Sequence, residues 1–468
     1  MMKRSHLSSI FSGLLLCFLL MLGSACSSQP ASGSGGNATP TAPGGTAGSG
    51  NNGGTPAGST PSQTVQMPPT QTACPATGTA RAAVMRPLVL GHDQDLVYIY
   101  NEVPQNTSTA VGHLRRYDAT TGHKTDIVSS GIRIDQAQVS ADGQWVLFLS
   151  IPDPRGDNQH SAMLQLVRMD GQGLQTLYCF PNATYSGQNT SRLPISLQWS
   201  VDQQSILFSV NTNNDTSQVE LLNVSTGALK TLFLDQNDQL YYYSVVTWLD
   251  NIHFYLIKQG SQAPTPPATV FLMNASTATV ANPGLVQLFT IPTRQSYFSL
   301  DSSPDGSKLY SSSCLLAASP FNTTIMVGPA MGGTRTTLFQ GSPLDCVQVL
   351  RVISPNKLLA LAQVSTNAGN AFSNDVWTLN TTPGSNYNVV SLLSVSPNDQ
   401  TRYDFNETTQ FTWSNVSRDG GTYALQAVNP ATNVQSIMVG PLSGGNASAI
   451  ATTSPGSSTV SIAGWTTL

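Results

Sequence analysis

The sequence predicts an all-β fold in which seven four-stranded sheets stand as blades around a ring. Three observations lead there. Beyond about residue 83 the chain shows no amphipathic helical stretch, only short apolar or alternating runs separated by turn clusters. A phrase of apolar strand, Ser-x-Asp-Gly-like turn and second apolar strand recurs through it. The last strand of the chain matches the first half of that phrase and then stops, as a ring closed by its own two ends requires.

In chain order, a partial copy, GHDQDLVYIY, surrounds Asp93 and looks like a second strand without its first. Full copies follow as AQVSADGQWVLFLS around Asp142, LQWSVDQQSILFSV around Asp202 and VTWLDNIHFYLI around Asp250. The phrase returns as LDSSPDGSKLYSSS around Asp305, RVISPNKLLALA around Asn356 and FTWSNVSRDGGTYALQAV around Asp419. Steps of about 48 to 63 residues separate these turns, near the spacing of a β-propeller blade. Each pair is followed by a third strand, a Gly-bearing turn and a fourth, as in VELLNVSTGALKTLFL and TIMVGPAMGGTRTTLF. Ile325-Met326-Val327-Gly328-Pro329 comes back as Ile437-Met438-Val439-Gly440-Pro441, a sign of internal repetition. Asp or Asn accepts hydrogen bonds from nearby amides and Gly supplies positive φ, so the aspartates read as turn residues and not as metal ligands. Trp199, Trp248 and Trp413 are expected at the ends of first strands, and Val460 to Trp465 completes the blade begun near Asp93. The count is seven blades, with six or eight as alternatives.

The Ser-Pro-Asp-Gly turns, cleanest at Ser303-Pro304-Asp305-Gly306, resemble the repeats of TolB-like and WD-repeat-like propellers. The N-terminal propellers of prolyl-oligopeptidase-type enzymes are similar. The likeness covers roughly residues 83–468 and is specific only at the turns. No second domain of the kind that precedes the TolB propeller is evident, nor room for the hydrolase domain of the peptidases.

Residues 1–25 read as a secretory signal: Lys3 and Arg4, then an apolar stretch from Ile10 to Leu22, short of the roughly 20 residues that span a membrane. Leu22-Gly23-Ser24-Ala25-Cys26 resembles the lipobox of bacterial lipoproteins, with Gly23 where the usual Leu stands. That resemblance implies a diacylglycerol on Cys26 and an anchor in the cell membrane or an outer membrane; the alternative is an ordinary secretory signal. From Ser27 to Ala73 there is no charged residue and little large apolar content. Residues 26–82 are therefore expected to be a disordered linker, with a reach of roughly 35–40 Å, ahead of a propeller over 83–468.

Charged residues are only 9% of the chain against about 25% in an ordinary soluble domain. The net charge is −4, and no Lys/Arg cluster appears after the N-terminus, so nucleic acid is not an expected partner. Of six cysteines, Cys17 would leave with the signal and Cys26 carry lipid. The remaining even number suggests two disulfides, Cys314–Cys346 and Cys74–Cys179, against four free thiols. No Cys-x-x-Cys, H-E-x-x-H, G-x-S-x-G or P-loop occurs, so no metal, cofactor or catalytic residue is assigned.

The longest insertions fall between second and third strands: Asn101 to Gly112, Ile151 to Ala162, Lys258 to Thr269 and Val364 to Asp375. In a propeller these share a face with the loops that enter first strands. Those loops supply the candidate ligand-binding residues Asp135, Tyr241, Tyr242, Arg294, Tyr297, Arg402, Tyr403 and Asp404. The alternative is that they only cap blade ends. Three function classes follow: a binding or scaffolding module for an envelope protein or glycan, a propeller enzyme acting on envelope sugars or peptides, and a sensor or accessory subunit.

Overall fold

Turn chemistry decides where the strands end. In the computed structural model, Ser140 Oγ donates to Asp142 Oδ1 at 2.5 Å and accepts from the amides of Gln144 and Trp145. Gly143 then takes φ 70° to reverse the chain. The same arrangement recurs at Ser200–Asp202, Ser303–Asp305 and Ser417–Asp419. Gly306 and Gly420 repeat the positive φ, but in the Ser200–Asp202 turn it falls to Gln203, at φ 61°.

The structure describes residues 72–79, 94–104, 107–152, 161–180, 194–212, 216–235, 241–260, 267–291, 297–315, 322–340, 345–366, 371–381, 389–394, 401–405, 412–456 and 458–466. All lie in the second of two units, Met1–Gln66 and Met67–Leu468. They form seven four-stranded antiparallel sheets. Blade 1 joins β28 (Thr459–Trp465) to β1 (Asp95–Glu102), β2 (Val111–Asp118) and β3 (Lys124–Ser130). Blade 2 is β4 (Arg133–Val139), β5 (Trp145–Ile151), β6 (Met163–Arg168) and β7 (Gln175–Cys179); blade 3 is β8 (Pro194–Trp199), β9 (Ser205–Thr212), β10 (Thr216–Asn223) and β11 (Leu229–Asp235). Blade 4 is β12 (Tyr241–Trp248), β13 (His253–Gly260), β14 (Ala268–Asn274) and β15 (Val286–Ile291); blade 5 is β16 (Tyr297–Ser302), β17 (Lys308–Leu315), β18 (Asn322–Pro329) and β19 (Thr336–Gln340). Blade 6 is β20 (Asp345–Ser354), β21 (Lys357–Thr366), β22 (Ala371–Asn380) and β23 (Val389–Ser394); blade 7 is β24 (Arg402–Asp404), β25 (Thr422–Asn429), β26 (Val434–Pro441) and β27 (Ser448–Thr452).

The expected split blade is present: β28 pairs antiparallel with β1, from Leu96 opposite Trp465 to Asn101 opposite Thr459. Seven apolar clusters fill the seven spaces between neighbouring blades, the last between blade 7 and blade 1, so the ring is closed. Strand alternation supplies both faces of every blade. On β5, Trp145, Leu147, Leu149 and Ile151 face blade 3, while Val146 and Phe148 face blade 1. That is why WVLFLSI reads as an unbroken apolar run. Each such side chain contributes roughly 1.5–3 kcal/mol by leaving water.

First strands are sheet edges and would leave backbone groups unpaired, and side chains of the preceding blade cover them. The Asn101 amide holds both N–H and C=O of Ile134. Gln138 does the same for Leu197 O and Trp199 N, and Ser299 for Leu350. Ser217 accepts from Tyr243 N, Thr323 from Val347 N and Gln435 from Val460 N. The seam beside blade 1 has an additional clasp. The Arg418 guanidinium lies 4.2 Å from the Trp413 ring centroid and donates to Trp465 O, Ala141 O and Ser140 O, spanning blades 7, 1 and 2.

Both expected disulfides are formed. Cys314–Cys346 ties blade 5 to blade 6, and Cys74–Cys179 pins residues 72–79 to the outer strand of blade 2. Thr176 Oγ1 to Thr72 O and Gly78 N to Gly227 O hold the same segment down. Two disulfides fit an extracytoplasmic, oxidising compartment.

Two local expectations are corrected. Trp413 does not end a first strand: Thr412–Ser414 is a 3-10 turn, and β24 stops at Asp404. Trp413 leaves the sheet to give its ring N–H to Val139 O, across blade 1. Val364 to Asp375 is no long insertion, since β21 runs to Thr366 and β22 starts at Ala371 in one continuous register.

Candidate binding face

First strands run from one face of the ring, the rim face, toward the other, where the tight turns into second strands lie. Connections between second and third strands, and between blades, therefore share the rim face. The sequence candidates fall there, but within strands and not in the loops expected to hold them. Asp135 lies in β4, Tyr241 and Tyr242 in β12, Tyr297 in β16, and Arg402, Tyr403 and Asp404 in β24. Pairing with second strands draws these rim segments into the sheets. Arg294, Cys26 and most of the insertion loops lie outside the described residues.

The candidates are not one cluster; they sit on blades 2, 4, 5 and 7. Asp135 is taken up by Arg133, whose Nη2 is 3.1 Å away. Tyr403 packs on the core between blades 6 and 7, with Arg402 and Asp404 exposed beside it. Blade 4 is where side chains converge. The register sets Tyr242 opposite Gln259 and Tyr243 opposite Lys258. Tyr242 Oη donates to Gln259 Oε1 at 2.5 Å, and burial pushes the phenol above its ordinary pKa. Lys258 Nζ stands 4.0 Å from the Tyr241 ring centroid and 5.4 Å from that of Tyr243. Alternation along the strands puts these on opposite faces of the blade: Tyr241, Tyr243 and Lys258 lie toward blade 3 as an aromatic–cation cluster, and Tyr242 with Gln259 lies toward blade 5 as a separate pair.

Sequence reasoning missed three things. Lys258 and Gln259 fall inside an expected insertion but lie in β13, and a bulge between Val245 and Thr247, with no local sequence signal, is what sets them opposite Tyr243 and Tyr242. His113 Nε2 is 3.4 Å from Glu102 Oε1 at the rim end of blade 1, a pair made by the β1–β2 hairpin and not by local spacing. Deeper, Asp301 on β16 accepts from Val352 N at 2.7 Å, beside the fully buried Arg351, whose Nε reaches Asn415 Oδ1. Burial raises the Asp301 carboxyl to about 7, against the pull of Arg351 and the amides of Val352 and Ser302.

The opposite face behaves as turn chemistry requires. The Ser303 hydroxyl and neighbouring amides hold Asp305 down at about 2, and Ser417 and Thr121 lower Asp419 and Asp118 likewise. Among the described residues no three His, Cys, Asp or Glu side chains are placed to hold a metal.

No family model and no curated protein matches the chain. Solved propellers resemble it. TolB from Acinetobacter baumannii is 13% identical over 61% of this chain and 61% of its own, with a TM-score of 0.38. The periplasmic gluconolactonase PpgL of Pseudomonas aeruginosa is 14% identical over 79% and 99%, with a TM-score of 0.49. The β-propeller domain of the Trilobed protease from Pyrococcus furiosus is 8% identical over 77% and 95%, also at 0.49. The chain thus spans 61% of the Acinetobacter TolB. Likeness at such identities transfers no activity.

Proposed function

We propose that this chain is a lipid-anchored binding or scaffolding module of the cell envelope, with Cys26 as the acylated residue and the rim face as the binding surface. The observation that carries the reading is the Tyr241–Tyr243–Lys258 cluster at the rim of blade 4, with the Tyr242–Gln259 pair on the blade's other face, on a rigid closed ring. The signal, the uncharged linker and the two disulfides support export and tethering. The partner is an envelope protein or glycan.

Two experiments test it. Cys26→Ala should move the protein from the membrane to the soluble fraction; a variant that stays membrane-bound, with no lipid on the wild type by mass spectrometry, removes the anchor. For the surface, Tyr241→Ala with Lys258→Ala, and separately Tyr242→Ala with Tyr403→Ala, should weaken retention on purified envelope glycan and crosslinking to envelope protein. Gln203 and Lys308, on the opposite face, serve as controls. Loss only with the controls would overturn the face assignment.

A second reading, a propeller enzyme acting on envelope sugars or peptides, is favoured by the Glu102–His113 pair, a carboxylate and an imidazole within reach of each other. It requires turnover of an envelope polymer that Glu102→Gln abolishes.

A further inference from the structure

Among the described residues the buried and half-buried arginines are matched with partners, with one exception. Arg115, Arg116, Arg133 and Arg168 pair with Asp126, Asp95, Asp135 and Asp170. Arg418 has three backbone carbonyls, and Arg351 has Asn415 and Leu350 O, with Asp301 beside it. Arg335, in the turn between β18 and β19, donates Nη2 to Ser311 Oγ, while its Nε is buried with no acceptor.

The fold makes room for this side chain. A Cβ on Gly328 would meet Arg335 Cγ at 2.7 Å, so glycine lets the stem cross β18. The guanidinium then stacks 3.7 Å from the ring centroid of Phe289 on β15, a strand of the neighbouring blade. Covering Phe289 needs only a long stem, as Lys or Met would provide, and does not account for a guanidinium whose buried Nε lacks an acceptor. Burial lowers its pKa to about 10, with no carboxylate acting on it, and the group stays charged in the neutral range. A cation in such a setting gains most from an anion that shares its low-dielectric surroundings.

The surroundings also indicate what the anion is attached to. Val286, at the start of β15, is 54% exposed, and Met331, in the turn before Arg335, is 53% exposed. The two elements abut where a Cβ on Gly332 would come within 3.0 Å of Leu288 Cδ2. We propose that Arg335, between blades 4 and 5, is the cation of an oxyanion site for a carboxylate or phosphate borne on an apolar body. Ser311 and the Phe289 ring orient the guanidinium, and Met331 and Val286 receive the apolar portion. The site lies away from the rim cluster and does not depend on it.

Isothermal titration of the full chain with octyl phosphate, octanoate, inorganic phosphate and octanol tests this. The expected result is saturable binding of octyl phosphate or octanoate, at least tenfold tighter than phosphate or octanol. A preference between the two alkyl anions separates a phosphate source from a carboxylate source. Arg335→Met should abolish the preference for anions, Arg335→Lys should keep it in part, and Met331→Ser with Val286→Ser should remove only the alkyl advantage. Melting curves of the Met and Lys variants establish that both are folded. The proposal is overturned if no anion binds saturably, if octanol binds as well as octyl phosphate, or if a folded Arg335→Met variant binds like the wild type.

Discussion

Replacing Arg418 by Met asks whether one side chain holds the seam of the ring. The guanidinium makes bonds of 3.2, 2.9 and 2.9 Å to Trp465 O, Ala141 O and Ser140 O and stacks on Trp413. Charge-assisted bonds contribute roughly 1.5–3 kcal/mol each, and the stacking about 1 kcal/mol. Against this stands the cost of burial, which lowers the group from 12.5 to about 10, or about 3 kcal/mol at roughly 1.4 per pKa unit. The net loss in Arg418→Met is about 3 kcal/mol, since Met keeps the apolar stem but leaves three carbonyls without their donor. For roughly 380 folded residues at about 2.1 cal/mol/K each, that lowers Tm by about 4 °C. Hydrogen exchange is the sharper assay. If Arg418 acts on closure, amides of β28 and β1 should lose protection well before those of blades 3 to 5. Equal loss around the ring, or a Tm within 1 °C of wild type, would refute the clasp.

Asp301 sets a pH dependence of definite sign. Its folded carboxyl sits at about 7, above the ordinary 3.8, so this group's contribution is fully present below about pH 4 and is lost as pH rises through 7; urea midpoints for Asp301→Asn should lack that decline, and a parallel profile would count against it. Gln203 occupies the left-handed position that Gly fills in blades 2, 5 and 7. Relief of that strain, roughly 1–2 kcal/mol, exceeds the entropy lost to Gly, so Gln203→Gly should stabilise by about 1 kcal/mol, and a lowered denaturation midpoint would contradict it. Deleting residues 458–468 removes β28 with buried Val460, Ile462 and Trp465. At roughly 1.5–3 kcal/mol each this approaches the stability of a whole domain, so the truncated chain should aggregate; a soluble product with unchanged melting would remove the split blade.

The blades were legible because their determinants are local. Ser-x-Asp-Gly makes its own hairpin from groups within six residues, and the apolar run after it is a strand whatever lies beyond. The closing strand was legible for a related reason, since half a repeat at each end implies a joint. What escaped was anything set by the meeting of two blades. Trp413 carries the same local phrase as Trp199, yet it leaves the sheet because Val139 O, from blade 2, takes its N–H. Arg418 occupies the variable position of a Ser-x-Asp-Gly turn and looks interchangeable there with Ala141, Val201 or Pro304. The rim candidates were found by residue type and face, but which of them touch is decided by strand register, so Lys258 and Gln259 joined Tyr241 and Tyr242 while Asp135 was taken up by Arg133.

The Cys74–Cys179 bond also has a mechanical side. Tension applied anywhere N-terminal to residue 74 reaches the folded ring through that bond, at the outer strand of blade 2. The stretch from residue 75 to β1 then lies outside the loaded path. Without the bond only the hydrogen bonds at Thr72 and Gly78 would stand between the same pull and the β1–β28 joint at Asp95. With it, the force is delivered to a covalent link, and the joint that closes the ring carries no load.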